Sequence, residues 1–198
     1  YRLMLDDTLM YSCGVFEHDG ATMRDASVAK LEHICRRLHL SRDDHVLEIG
    51  TGWGGFAIHA ARNYGCRVTT TTISAAQHEW AARCIYEEGL ADRITLLQTD
   101  YRDLSGRFDK LVSIEMIEAI GYEYFDTFFG KCCSLLKPGG AMMLQAITIA
   151  ERHYEGAKHK VDFIKRHIFP GSCLTSVASL MRSIARATDL QLVHLADI

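Results

Sequence analysis

Four glycines within six positions, Gly50, Gly52, Gly54 and Gly55, constrain this chain more than any other feature. They follow the apolar run Val46-Leu47-Glu48-Ile49 and precede Phe56, Ala57 and Ala60, which recur at helical spacing. A strand must therefore end in a tight turn that opens a helix. Glycine accepts positive φ freely and has no side chain to hold a ligand away, so such a turn brings backbone N–H groups against something bound.

Two ligand classes compete for this turn. Gly50-Thr51-Gly52-Trp53-Gly54-Gly55 fits the G-x-G-x-x-G of dinucleotide enzymes. That pattern wants an acid roughly 20 residues on, at the end of the second strand. Here that strand reads Arg67-Val68-Thr69-Thr70-Thr71-Thr72-Ile73, without one. Glu48 sits one residue before the end of the first strand, where a carboxylate attracts a cationic ligand and repels a pyrophosphate. The segment is similar to the E/D-x-G-x-G-x-G turn of S-adenosylmethionine methyltransferases, whose ligand carries an ammonium and a sulfonium. A nucleotide-binding oxidoreductase is the distant alternative, and a turn that serves only close helix packing is the bland one.

At 198 residues the chain is expected to form a single domain over 1–198, large enough to bury a core without staples. A net charge of −3 leaves no basic footprint, so nucleic acid is not a favoured partner. Seven cysteines, odd in number and without a C-x-x-C, suit thiols in a reducing compartment, and a cytoplasmic location is expected. No apolar run has membrane-spanning length. The ends, Tyr1-Arg2-Leu3 and Asp197-Ile198, look like the interior of a longer protein.

The elements alternate in type. Residues 1–20 are irregular, and Val28, Leu31, Ile34, Cys35 and Leu38 predict an amphipathic helix over 24–38. Strands are expected at 46–49, 68–73, 94–99, 109–115 and 141–149, with helices over 54–63, 74–88 and 124–136 between them. The Lys137-Pro138-Gly139-Gly140 turn feeds the fifth strand, and Leu190 to Leu195 alternates as a sixth. This predicts an α/β fold with a doubly wound, mostly parallel sheet, Rossmann-like, with the last strand missing from the chain. A polar and aromatic insertion, 151–171, follows the fifth strand, and a helix over 176–188 follows the insertion. The insertion falls at the carboxyl end of the sheet, where open α/β folds bind ligands, which makes it the natural lid or acceptor wall.

Several residues are placed to carry chemistry. Thr72 and Gln77 straddle the end of the second strand, where neutral hydrogen bonds can hold a ribose; Gln77 as a capping partner of Ser74 is the competing reading. Tyr101 follows the third strand, at the usual place for adenine contacts, or else lies in a surface turn. Glu118 follows apolar residues after the fourth strand, where a partly desolvated carboxylate can stabilise a cation. An exposed glutamate at a helix start is its bland alternative. Ten histidines show no zinc spacing, so no metal is expected. Tyr122, Tyr124, Phe125, Phe128 and Phe129 read as core rather than as an acceptor box.

Together these residues resemble the cyclopropane-fatty-acyl-phospholipid synthase family, which includes the mycolic acid cyclopropane synthases. The likeness is carried by Met10-Tyr11-Ser12-Cys13, the glycine turn, Thr72-Ile73-Ser74 with Gln77, Ser113-Ile114-Glu115-Met116-Ile117-Glu118, Gln145-Ala146-Ile147-Thr148 and Ile168-Phe169-Pro170-Gly171. The resemblance implies a class I methyltransferase fold and S-adenosylmethionine held by Tyr11, Ser12, Gly50, Gly52, Thr72, Gln77 and Tyr101. It also implies attack of an unsaturated phospholipid acyl chain on the sulfonium methyl, at the membrane surface. A bound bicarbonate ion then takes a proton in a pocket built by Cys13, Glu118 and Ile147. Gln145 stands where the synthases carry a histidine, and glutamine cannot carry a proton for the anion. Alternative outcomes are C-methylation of the chain without ring closure, and N-methylation of a small amine as in plant alkaloid N-methyltransferases that resemble this family.

Overall fold

A computed structural model describes Tyr1 and residues 3–198. Two compact units are distinguished, one comprising Tyr1–Val112, Leu136–Met143 and Ala196–Ile198, the other Ser113–Leu135 and Leu144–Leu195.

The first unit is built on a sheet ordered β3-β2-β1-β4-β5. Its strands are β1 (His45–Ile49), β2 (Arg67–Thr71), β3 (Ile94–Leu97), β4 (Phe108–Ile114) and β5 (Leu136–Gln145), the last two running on into the second unit. β1 lies in the middle, parallel to β2 with Glu48 opposite Thr70, and parallel to β4 with Glu48 opposite Val112. Val46, Leu47, Val68, Leu111 and Val112 are almost wholly buried, as strands covered on both faces require. Successive strands run outward from β1 to β3, and the chain then returns to the other side of β1. That reversal is the switch point at which open α/β sheets bind ligands.

Helix α1 (Met23–Arg37) starts at Thr22, whose hydroxyl accepts from the Asp25 N–H while Asp25 caps Thr22 in return. It buries Ala26, Ser27, Lys30, Leu31, Ile34 and Cys35. α2 (Gly55–Tyr64) ends on Gly65 at φ +69, and α3 (Ala75–Glu87) starts on Ser74.

β5 departs from expectation at both ends. It begins at Leu136 and includes Lys137-Pro138-Gly139-Gly140, because Arg107 donates to the Leu136 carbonyl and Lys137 Nζ reaches Asp109 at 2.7 Å. A Cβ on Gly140 would lie 2.9–3.0 Å from the carbonyls of Lys137 and Asp109, so this stretch hugs the start of β4.

The second unit contains α4 (Phe125–Leu135), α5 (Glu151–His159) and α6 (Val177–Ala187). Phe125, Phe128, Phe129, Cys132 and Leu135 form the buried face of α4, which packs on α6. Asp126 joins the two helices by accepting from Arg186 at 2.5 Å and from Ser183 Oγ at 2.5 Å. The aromatic stripe is therefore core only in part. Tyr124 is exposed, and Tyr122 lies under Lys158 Nζ, 4.5 Å from the ring centroid. The insertion is itself helical, and Glu151 anchors α5 through Arg182 at 3.0 Å and through Ser176. The expected sixth strand does not form. Residues 189–198 are irregular, and Val193, 91 % exposed, has the surroundings of a surface residue rather than of a ladder strand. No helix among the described residues is long and apolar enough to cross a membrane.

Candidate active site

The glycine turn closes β1 as its spacing predicts. Gly50, Gly52 and Gly54 take φ of +101°, +52° and +97°. The Gly50 and Thr51 N–H groups both donate to the Thr71 carbonyl, at 3.1 and 3.0 Å, so these two amides fasten the turn to β2 rather than face a ligand. Gly52 is an open position, since a Cβ there would meet nothing within 4 Å. The indole N–H of Trp53, beside it, is buried with no hydrogen-bond partner among the described residues.

Glu48 lies beneath the turn, 3 % exposed. Thr70 Oγ1 donates to it at 2.6 Å and is itself 2.7 Å from Thr51 Oγ1. Burial pushes its carboxyl up to about 8 against the opposing effect of the Thr70 hydrogen bond. At the end of β2, Thr72 Oγ1 donates to Gln77 Oε1 at 2.8 Å, and the Gln77 N–H donates to Ser74 Oγ at 3.3 Å. Half a capping box is thus made, while the Gln77 side chain turns to Thr72. Thr71 Oγ1 donates to the Thr99 carbonyl at 2.5 Å, which ties the end of β2 to the loop leading to Tyr101.

The N-terminal segment is strapped to α1 and to the turn. Val15 donates to the Ala26 carbonyl at 3.0 Å, and Ser27 Oγ donates to Asp6 at 2.9 Å. Lys30, 1 % exposed, donates to Ser12 Oγ. A Cβ on Gly55 would collide with Met10 Sδ, so Met10 seals the start of α2. Tyr11 stacks edge-on against Tyr1, whose ring also lies 5.4 Å from that of Trp53. This segment carries Tyr11, Ser12 and an exposed Cys13.

The second unit holds a cluster of carboxylates and amides. β4 ends at Ile114, and Glu115 then takes φ +46°, a conformation costing a residue with a Cβ about 1–2 kcal/mol. Its N–H donates to the Gln145 carbonyl at 2.9 Å, and Gln145 Nε2 donates back to Glu115 Oε1 at 2.7 Å. A single 3-10 turn, Ile117–Ala119, is rooted by the fully buried Ile117 and presents Glu118. The Ile147 N–H donates to Glu118 Oε1 at 2.5 Å, and the Glu118 carbonyl accepts from Cys173 N–H at 2.8 Å. Glu118 Oε2 is buried with no hydrogen-bond partner among the described residues. Burial raises the Glu118 carboxyl, the Ile147 N–H opposes this, and the charge of Glu115 adds to the rise. Ile147 acts through its backbone, since its side chain is half exposed. Its carbonyl accepts from Thr175 Oγ1 at 3.0 Å.

The model of the mycolic acid cyclopropane synthetase family matches residues 1–198. The chain belongs to this family. It is 36 % identical over 192 residues to a probable fatty acid methyltransferase of Pseudomonas putida, covering 94 % of this chain and 48 % of that protein. It is 40 % identical over 185 residues to the cyclopropane-fatty-acyl-phospholipid synthase of Escherichia coli K12, covering 92 % and 46 %. The chain thus spans about half the length of the curated relatives it matches. Among solved structures it superposes on the mycolic acid cyclopropane synthase CmaA1, complexed with SAH and CTAB, with a TM-score of 0.86 and 28 % identity, over 94 % of this chain and 68 % of that one. The fold is that of the class I methyltransferases.

The first unit offers a cofactor an open glycine at Gly52, a buried indole donor on Trp53 and the Thr72–Gln77 pair after β2, with Glu48 as the group there that favours a cation. The second unit gathers Glu118, Gln145 and Ile147 as the resemblance implies, while Cys13 is carried on the strap of the first. Its donor set does not fit bicarbonate. Two carboxylates stand there, and the Gln145 amide is already engaged with one of them, so a further anion meets like charge. Sequence reasoning passed over Glu115, Lys30 and Trp53 as individual residues. Only the polar Lys30 on the apolar face of α1 left a legible trace, three residues beyond Ser27 and one before Leu31.

Proposed function

We propose that this protein carries out S-adenosylmethionine-dependent alkylation of the double bond of an unsaturated phospholipid acyl chain, closing a cyclopropane ring. Tyr11, Ser12, Gly52, Thr72, Gln77 and Tyr101 hold the cofactor, Gly50 serving by fastening the turn to β2 through its N–H, with Glu48 below the turn favouring the cofactor's positive charge. When bound, the cofactor would supply an electrophilic methyl to one alkene carbon and leave as the neutral thioether. Glu118 stabilises the cation left on the chain. The observation that carries this reading is the Glu118 carboxylate, fixed through one oxygen by the Ile147 N–H and buried without a partner at the other. A half-desolvated carboxylate kept in this way is worth far more to a developing cation than one in water.

Access to lipid is supported by the exposed apolar side chains Val161, Phe163, Ile164, Ile168 and Phe169, interleaved with Lys160, Lys165 and Arg166 in the insertion. Such a segment suits peripheral attachment to an anionic bilayer surface from the cytoplasmic side. C-methylation without ring closure is the second reading, favoured by Gln145 in the place of the synthase histidine. Mass spectrometry of lipids from cells expressing the gene tests both: ring closure and methylation give different fragment ions, and an unchanged acyl pool would exclude a lipid substrate. N-methylation of a soluble amine would then be the reading to pursue.

A further inference from the structure

Glu115 has no part in the mechanism above, yet the fold keeps it at φ +46° and clamps it twice to one residue, through the Gln145 carbonyl and through the Gln145 amide. Backbone strain of this kind is concentrated at functional sites. Gln145 holds Glu115 while Ile147, two positions on, holds Glu118. The charge of Glu115 is felt at the Glu118 carboxyl, so the two carboxylates stand in one cluster. We propose that Glu115 is the base of this site, oriented by Gln145, and that it takes the proton which an exogenous anion takes in the synthases. The proposal rests on the acyl-alkylation function above and names the group that completes it.

Methyl transfer leaves the acyl chain with one positive charge. Glu115 accepts one proton, either from the added methyl or from a chain carbon next to the cation. The C–H electron pair closes the ring in the first case and forms a C=C bond in the second. The chain ends neutral, Glu115 ends as the neutral acid, and its proton passes to water when product leaves. Glutamine suits this arrangement, because its amide orients a carboxylate by hydrogen bonding but does not titrate, whereas an imidazole does. A bicarbonate in the same cluster would be repelled by both glutamates.

The test has a binding arm and a turnover arm. In the first, ¹³C-labelled sodium bicarbonate is titrated into purified protein loaded with S-adenosylhomocysteine and followed by NMR. No binding is expected to the parent, and binding is expected to Glu115→Gly, a residue that suits the positive φ and opens the space. In the second, turnover of unsaturated phospholipid vesicles is measured in carbon-dioxide-depleted buffer, with melting curves confirming that each variant is folded. The parent should be indifferent to added bicarbonate. Glu115→Gln and Glu115→Gly should each lose about 10²-fold, and only the glycine variant should regain activity, by about tenfold, on adding bicarbonate. Bicarbonate binding to the parent, bicarbonate-stimulated parent turnover, or a Glu115→Gln variant at the parent rate would each overturn the proposal. A protein that binds S-adenosylhomocysteine but alkylates no lipid would refute the lipid function instead, and the NMR arm would still decide whether the pocket takes the anion.

Discussion

Glu48 should make the stability of this protein fall with rising pH. Its carboxyl is buried, has Thr70 Oγ1 as donor at 2.6 Å, and is raised from 4.5 to about 8 by loss of water. The unfolded chain gives up this proton near pH 4.5, while the folded chain keeps it to about pH 8. Between those limits the unfolded state binds fewer protons, so stability declines across the window and is flat above it. At about 1.4 kcal/mol per pH unit the loss approaches roughly 3–5 kcal/mol. For a chain of this size that lowers the melting temperature by roughly 10 °C between pH 5 and 8. Glu48→Gln keeps an acceptor for Thr70 and cannot ionise. Differential scanning fluorimetry over this range should show the slope in the parent and a much flatter curve in the variant. His45 and His59 are shifted down chiefly by burial and act in the opposite direction, but equally in both proteins, so the difference isolates Glu48. A cationic ligand favours the ionised form, so affinity for S-adenosylmethionine should rise toward pH 8 in the parent only. Parallel melting curves for parent and variant would refute the reasoning.

Three further outcomes are expected. Glu118→Gln should reduce turnover by about 10²-fold, the scale for one electrostatic stabiliser, while calorimetry finds S-adenosylhomocysteine affinity little changed. Gly52→Val should abolish that binding, since φ +52° disfavours a β-branched residue and the side chain would enter the open space above the turn; circular dichroism should show the fold retained. Lys30→Met removes a charged donor to Ser12 Oγ from a fully buried site. It should weaken S-adenosylhomocysteine binding by about tenfold and hasten proteolysis of the N-terminal strap, with Lys30→Arg intermediate in both assays.

The sheet was legible because its signals are local. Val46–Ile49 and the β-branched run Val68 to Thr72 announce strands, and the helices expected over 54–63 and 74–88 form as Gly55–Tyr64, ending on Gly65, and Ala75–Glu87, starting on Ser74. Strand ends were less legible, since they depend on partners. The ladder of β5 stops at Gln145, where Glu115 leaves β4 by turning to positive φ, and nothing in either segment's periodicity reports that turn. Leu190 to Leu195 has strand alternation but takes up no ladder pairing, so the pattern misleads there. Within the site, Thr72, Gln77 and Glu118 were singled out by position along the chain and Ile147 by the resemblance alone; the structure bonds Thr72 to Gln77 and the Ile147 N–H to Glu118. The Glu115–Gln145 bond joins residues thirty apart whose types give no hint of each other, and only tertiary pairing of β4 with β5 reveals it.

Three glutamates here differ chiefly in their supply of hydrogen-bond donors. Glu48 has the Thr70 hydroxyl and almost no water, so it holds a proton at neutral pH until a cation stands nearby. Binding a sulfonium compound would expel that proton, which couples cofactor affinity to pH. Glu118 has a backbone N–H on one oxygen and none on the other, leaving an acceptor that a carbocation can satisfy and water cannot easily reach. Glu115 has the primary amide of Gln145, a donor that orients it and never changes charge. A histidine in that place would add its own titration near neutral pH and favour a bound anion. Glutamine at 145 and glutamate at 115 therefore make sense as a pair, and replacing either alone should disturb the charge of the site more than its shape.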